Sequence, residues 1–212
     1  MVYRGILVAG HRGYKEKYPE NTIKSYDAAV DAGADVVELD LHISTDKKIF
    51  LAHDTNALRV FGKDFELPEQ KYDPTIKQLR TLREPHLPVP LFVEMLEWFQ
   101  KKSEEVANES KRNLQIMLDI KRDNDPKLLI ELLLKDLQSV NPDMKWWKEK
   151  LVFGIWEPEF YLPELNKYEF DVGIISFDFK KAKYIYDDVV NNRDDRCLVM
   201  DSQQASRVPK SC

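Results

Sequence analysis

The chain is poor in several residues that define common protein classes. Among its 212 residues there are two cysteines, Cys197 and Cys212, both near the C-terminal end. That excludes a disulfide framework and a zinc site built from paired cysteines. There are seven glycines and no glycine-rich loop of the kind an open nucleotide-binding sheet uses for phosphate. No apolar run is long enough to span a bilayer. Leu128–Leu134 is interrupted by Glu131 and followed by Lys135, and so reads as an amphipathic helix. The apolar start, Ile6-Leu7-Val8-Ala9, is too short for a secretory signal. The expectation is an intracellular protein, soluble or peripheral to membranes. Charge of either sign is not in excess: the net value of −5 argues against a nucleic-acid surface. Internal repeats and low-complexity segments are also lacking.

What is present suits one globular domain. Hydrophobic residues make up 43% and charged residues 33%, enough for a sizeable core and a soluble surface. Residues 1–200 read as one domain and residues 201–212 as a polar tail. Residues 55–90 form a loop-rich insertion with prolines at 68, 74, 85, 88 and 90 and one short helix near Thr75–Leu82.

Short apolar runs alternate with helical runs. Strands are predicted at Ile6–Gly10, Val36–Ile43, Ile49–His53, Leu114–Lys121, Leu151–Trp156, Val172–Phe177 and Cys197–Met200. Helices are predicted from Asn21 or Thr22 to about Ala32, at Leu91–Lys102 after Pro90, at Pro126–Gln138, near Pro158–Lys167 and at Lys180–Val190. This alternation predicts an α/β fold with a parallel sheet, and the placing of reactive residues at strand ends favours a (β/α) barrel. One join breaks the pattern. Ser44–Lys48 is too short for a parallel crossover, so the second and third strands should form an antiparallel hairpin. If its turn centres on Asp46-Lys47, His53 lies opposite Asp40.

The chemistry concentrates in the first quarter. Glu38 and Asp40, two apart on a strand, share a face, while Val37, Leu39 and Leu41 point the other way. Two inward carboxylates need positive charge between them. A hard divalent cation is the simplest source, and ion pairing with Arg12 and Lys121 is the alternative. His11 and His53 are candidate proton carriers. His42 falls on the same inward face as a rim or supporting residue, and His86 sits exposed in the insertion. Asp119 and Lys121 repeat the strand-end spacing, as third metal ligand and phosphate partner or as a buried ion pair. Glu20-Asn21 precede a helix N-terminus, itself an anion site, with Asn21 a candidate cap. Trp146-Trp147, between lysines, are a candidate membrane contact, with core packing as the alternative.

The run Gly10-His11-Arg12, Pro19-Glu20-Asn21-Thr22, Ala32 to Asp40 and His53-Asp54, with Leu118-Asp119-Ile120-Lys121 later, resembles the glycerophosphodiester phosphodiesterase family. Tyr18–Asn21 and Met117–Lys121 look closest to its fungal phosphatidylglycerol phospholipase C branch. The resemblance implies a TIM-type barrel and a metal-dependent phosphodiesterase. It implies Mg²⁺ or Ca²⁺ held by Glu38, Asp40 and Asp119, with Asp119 standing where the family usually has Glu. It implies His11 and His53 as the catalytic pair, and Arg12, Glu20, Asn21 and Lys121 as phosphate- and substrate-binding residues. The substrate would be a glycerophosphodiester or a phospholipid. The family's last two strand motifs are not found after Phe177, so an incomplete barrel of at most seven strands is expected. A silent remnant that keeps the metal and phosphate pocket is the competing reading. Metal-assisted enolate chemistry fits less well, because it leaves the paired histidines, Arg12 and Glu20-Asn21 unexplained.

Overall fold

The computed structural model describes residues 7–110, 112–192, 197–201 and 204–206. The chain forms two compact units, residues 1–117 and 118–212, and the division falls within a strand.

In the first unit, β1 (Ala9–His11) pairs in parallel with β2 (Val36–Ile43), placing His11 beside Glu38. Helix α1 (Ile23–Asp31) connects them. Its N-cap is Thr22, whose hydroxyl accepts the Ser25 N–H at 3.2 Å, and Gly33 turns the chain away at φ +100°. The helix buries Ser25, Tyr26, Ala29 and Val30. It packs so closely on β1 that a Cβ on Gly10 would stand 2.9 Å from that of Ala29. All of β2 between its end residues is buried, with Val37, Leu39 and Leu41 fully inaccessible.

The hairpin is present, but its register differs from the expected one. β3 (Ile49–Leu51) runs antiparallel to β2 with His42 opposite Phe50, and the Ala52 N–H, not that of His53, donates to the Asp40 carbonyl. The turn centres on Asp46 alone. Ser44 and Lys48 close a three-residue loop whose last residue, Lys47, takes φ +58°. An odd loop shifts the pairing by one residue, so His53 falls beyond the strand.

The insertion is more ordered than its prolines suggest. It contains α2 (Leu58–Phe61) and 3₁₀ turns at Leu67–Glu69 and Ile76–Gln78, and it has a core of its own. Ala57, Phe61, Leu67, Tyr72, Ile76 and Leu79 pack on Phe50 and Val89. The chain then returns to β3, where the Leu51 N–H donates to the Pro90 carbonyl, and enters α3 (Phe92–Ser110). That helix runs past the expected Lys102 because Phe99, Ser103 and Val106 continue its buried stripe.

β4 (Gln115–Ile120) enters beside β2, with the Gln115 N–H on the Asp35 carbonyl, and passes into the second unit. There the strand order is β4, β5 (Leu151–Ile155), β6 (Asp171–Ser176), β7 (Cys197–Asp201) and β8 (Gln204–Ser206). β5, β6 and β7 are parallel and β8 is antiparallel. The helices are α4 (Pro126–Val140), capped by Asp125, then α5 (Met144–Lys148), α6 (Pro163–Lys167) and α7 (Phe179–Asn192). The described strands therefore number eight, one more than expected. The extra one, β8, lies inside the stretch read as tail; residues 202–203 and 207–212 of that stretch, and Ile6, lie outside the described residues.

The membrane expectation is corrected for Trp147. Trp147 is fully buried, and its indole N–H is shared between the Leu137 and Asn141 carbonyls at 3.1 and 2.9 Å. It is core, with Trp146 packed edge-on against it. Among the described residues no helix is long and apolar enough to cross a membrane.

Candidate active site

The site begins at the turn after β1. The Gly13 N–H donates to the Gly10 carbonyl at 3.0 Å, which puts His11-Arg12 at the corner and Arg12 at φ +59°. A side chain in that conformation costs roughly 1–3 kcal/mol unless the surroundings hold it. Here they do: the Arg12 carbonyl accepts the Asn21 N–H and the Ser25 hydroxyl. Only glycine fits at position 13, where φ is +80° and a Cβ would lie 2.3 Å from the Ser25 hydroxyl. The strained turn aims Arg12 at the acids. Its backbone N–H donates to Glu38 Oε2 at 2.7 Å. Its guanidinium lies 3.5 Å from Asp40 Oδ2 and 3.1 Å from Glu20 Oε1.

Glu38 and Asp40 are 5% and 0% exposed, so both carboxylates are taken out of bulk water. Asn21 is not the helix cap; it holds Asp40. At φ +53°, its Oδ1 accepts the Tyr26 hydroxyl at 2.7 Å and the Asp40 N–H at 3.3 Å. With the oxygen so engaged, the amide nitrogen must face Asp40, and it donates to Oδ2 at 2.7 Å. Burial, reinforced by Glu38 and Asp40, pushes the Tyr26 hydroxyl well above its ordinary pKa and keeps it a donor.

The histidines differ in their surroundings. His11 is the more open, with its Nδ1 3.0 Å from Lys15 Nζ and its Nε2 4.0 Å from Glu38 Oε2. Partial burial, then the charges of Lys15 and Arg12, lower its pKa below the ordinary value. His53 is half-buried, and its Nδ1 lies 2.7 Å from Asp54 Oδ1. Asp54 and Glu20 are both gripped by Arg59 of α2. Burial pushes each carboxyl up, but the hydrogen bonds from Arg59, with His53 at Asp54 and Arg12 at Glu20, bring both below their ordinary values. The buried His42 stacks on Phe50, with Nε2 3.4 Å from the His53 carbonyl, so it supports the segment carrying His53. A cavity of about 10 Å³, room for one water, is lined by Glu20, Asn21, Ala52 and His53 among others. His86 does more than face solvent: its ring bridges the Thr81 carbonyl and Glu84. Nearby, Arg83 donates to the carbonyls of Lys15 and Glu16 at 2.6 and 3.1 Å, tying the insertion to the β1–α1 turn.

In the second unit Asp119, 7% exposed, is the next-to-last residue of β4. Its Oδ2 is 2.6 Å from Lys121 Nζ, and its Oδ1 accepts the Trp156 indole N–H at 2.6 Å. The ion pair read from the sequence is present, and Trp156, which sequence reasoning passed over, is its second support. Arg59, Tyr26 and Lys15 were also missed. Arg59 follows His53-Asp54 by a few residues and is a cation close to a candidate acid–base pair. Tyr26 lies on the buried face of the helix that Asn21 precedes, a signal that could have flagged it.

The histidines and buried acids gather at and just beyond strand ends of a parallel α/β frame, the arrangement in which TIM-type folds collect reactive groups. The profile of the glycerophosphoryl diester phosphodiesterase family matches residues 11–190, and the chain belongs to that family. It is 40% identical over 77 residues to the glycerophosphodiester phosphodiesterase of Caldanaerobacter subterraneus, covering 34% of this chain and 32% of that one. It is 37% identical over 62 residues to the human lysophospholipase D GDPD1, covering 29% and 20%. The curated relatives are thus matched over less than half their length. Solved structures share the fold. A glycerophosphoryl diester phosphodiesterase of Parabacteroides distasonis superposes with TM-score 0.60 at 18% identity, over 86% of this chain and 58% of that one. The corresponding domain of a Mycobacterium tuberculosis protein gives 0.61 at 13% identity, over 88% and 65%.

Proposed function

We propose that the protein hydrolyses glycerophosphodiesters with the help of one divalent cation. The observation that carries this reading is the immobilised acid pair of β2. Glu38 and Asp40 are buried on one strand face and gripped by Arg12 and Asn21, with His11 paired beside Glu38 and His53 just past the strand that pairs with β2. Family membership supports it.

The donor set suits a hard cation, since buried carboxylate oxygens are what Mg²⁺ and Ca²⁺ take. Glu38 and Asp40 would hold the ion, with Asp119 as the third ligand. When bound, it would stabilise charge growing on the phosphoryl oxygens. The chain's own residues supply the rest. Arg12 and Lys121 orient the phosphate, and Glu20 and Asn21 fix Arg12 and Asp40. His11 accepts the proton of the glycerol 2-hydroxyl as that oxygen bonds to phosphorus. The bond from phosphorus to the leaving alcohol breaks, and His53 gives a proton to the departing oxygen. Water then opens the cyclic phosphate with the two histidines exchanging roles. With phosphatidylglycerol as substrate the products would be diacylglycerol and glycerol phosphate.

A second reading, a phosphate-binding remnant, rests on Asp119, whose two oxygens are already engaged by Lys121 and Trp156. One assay separates the two. The purified chain is given glycerophosphocholine or phosphatidylglycerol with Mg²⁺, with Ca²⁺ and with chelator, and His53→Ala serves as control. Metal-dependent release of glycerol phosphate that the variant loses is the expected result. Folded, metal-binding protein that releases nothing would overturn the hydrolase reading in favour of the remnant.

A further inference from the structure

The geometry points to Arg59 as a positioning residue: through Asp54 it fixes the tautomer and aim of His53, and through Glu20 it joins that imidazole to the turn carrying His11. This rests on the phosphodiesterase reading, in which His53 carries the leaving-group proton.

All three guanidinium nitrogens of Arg59 are used. Nη1 donates to Glu20 Oε2 at 2.8 Å and Nη2 to Glu20 Oε1 at 2.7 Å, a two-pronged pair across 39 residues of sequence. Nε donates to Asp54 Oδ2 at 2.5 Å. The other Asp54 oxygen meets His53 Nδ1 at 2.7 Å. An ionised carboxylate can only accept, so the proton sits on Nδ1, and Nε2 is left as the atom that exchanges protons with substrate. Glu20 Oε1 also takes the Arg12 guanidinium. Arg12, Glu20, Arg59, Asp54 and His53 therefore form one continuous hydrogen-bonded chain. Arginine is required for its shape. A lysine supplies the charge but cannot bind both prongs of one carboxylate while holding a second. Arg59 is half exposed, and an exposed ion pair is ordinarily worth little. Its place here is better explained by the histidine it steers than by stability. The groove beside it, lined by His53, Asp54, Asn56 and Leu58, is open enough to admit a small cation.

The test compares Arg59→Ala and Arg59→Lys with Leu58→Ala, an exposed neighbour on the same short helix. Loss of a partner that orients a metal-ligating histidine typically costs about 10–100-fold, and the same scale is expected for an oriented proton carrier. Arg59→Ala should lose kcat on that scale, with KM changed by less than about threefold. Guanidinium ion at low millimolar concentration should restore about a tenth or more of the lost rate to Arg59→Ala, and none to His53→Ala. Arg59→Lys, which keeps the charge and the fold, should also fall well short of wild type. Independently of turnover, ¹⁵N NMR should find His53 as the Nδ1–H tautomer in wild type and as a mixture in Arg59→Ala. Unchanged kcat and an unchanged tautomer would overturn the assignment, as would a fully active Arg59→Lys. A wild type inactive on every diester, yet with the tautomer shift on substitution, would overturn the phosphodiesterase reading and leave the positioning role standing.

Discussion

Asn21 makes three hydrogen bonds with one amide, and each constrains the others. The Tyr26 hydroxyl and the Asp40 N–H occupy the oxygen, so the nitrogen is left to the Asp40 carboxylate. Asn21→Ala takes the acceptor from a buried hydroxyl and a donor from a buried carboxylate at once. The expected loss is about 2–3 kcal/mol in urea unfolding, against about 1 kcal/mol for Tyr26→Phe, which removes one bond. Equal losses would show that the amide does no more than fill space. The sequence left the cap open between Asn21 and Thr22. An asparagine ahead of a helix reads as a cap, but its left-handed backbone leaves the extended cap geometry to Thr22. Glu20 and Asp54 carry a pH signature. Their folded pKa values lie below the ordinary ones, so the folded chain binds fewer protons than the unfolded chain in the acid range. The stabilisation is complete above the ordinary carboxylate values, near pH 4, and is lost as pH falls through the lowered ones. Melting temperature should drop as pH falls below the ordinary carboxylate range, and less steeply in Glu20→Gln; an identical slope would remove Glu20 from the effect.

Elements were legible where local chemistry punctuates them. Thr22 and Gly33 bracket α1, and Asp125-Pro126 opens α4. Thr22→Ala should cost about 1 kcal/mol in denaturant unfolding and leave KM unchanged; a change in KM would place Thr22 in the binding site as well. The hairpin was legible as a hairpin, since its loop is too short for a crossover, but its register was not. Ser44–Lys48 contains neither glycine nor asparagine, so nothing in the residue types marks Lys47 as the left-handed position that makes the loop odd. The insertion misled for a related reason. Its prolines signal irregular chain, while the apolar residues that form its core are spread too widely for any period to reveal them.

At the scale of the whole chain, the α/β class followed from the alternation of strands and helices, and the family from motifs packed into the first 54 residues. The strand count did not follow, because β8 is three residues in a polar stretch that takes strand form through pairing with β7. The proposed cation site makes a prediction at this scale. A cation that binds only the folded chain raises its melting temperature as the concentration passes the dissociation constant. Mg²⁺ or Ca²⁺ should therefore stabilise the wild type and not Asp40→Asn, which keeps the volume of the buried side chain. A shift of equal size in the variant would mean the ion binds elsewhere.

The insertion is fastened near both ends. Arg59 holds Glu20, Arg83 holds the carbonyls of Lys15 and Glu16, and the chain leaves and rejoins the frame at β3. In evolutionary terms the insertion is no free cassette, because its middle is tied down as well: the Thr45 N–H donates to the Gln70 carbonyl and the Tyr72 N–H to Asp46 Oδ1. A lineage that lengthens or trims the insertion must keep those ties, and keep Leu67, Tyr72, Ile76 and Leu79 in the cluster with Phe50, if the segment carrying His53 is to stay in register.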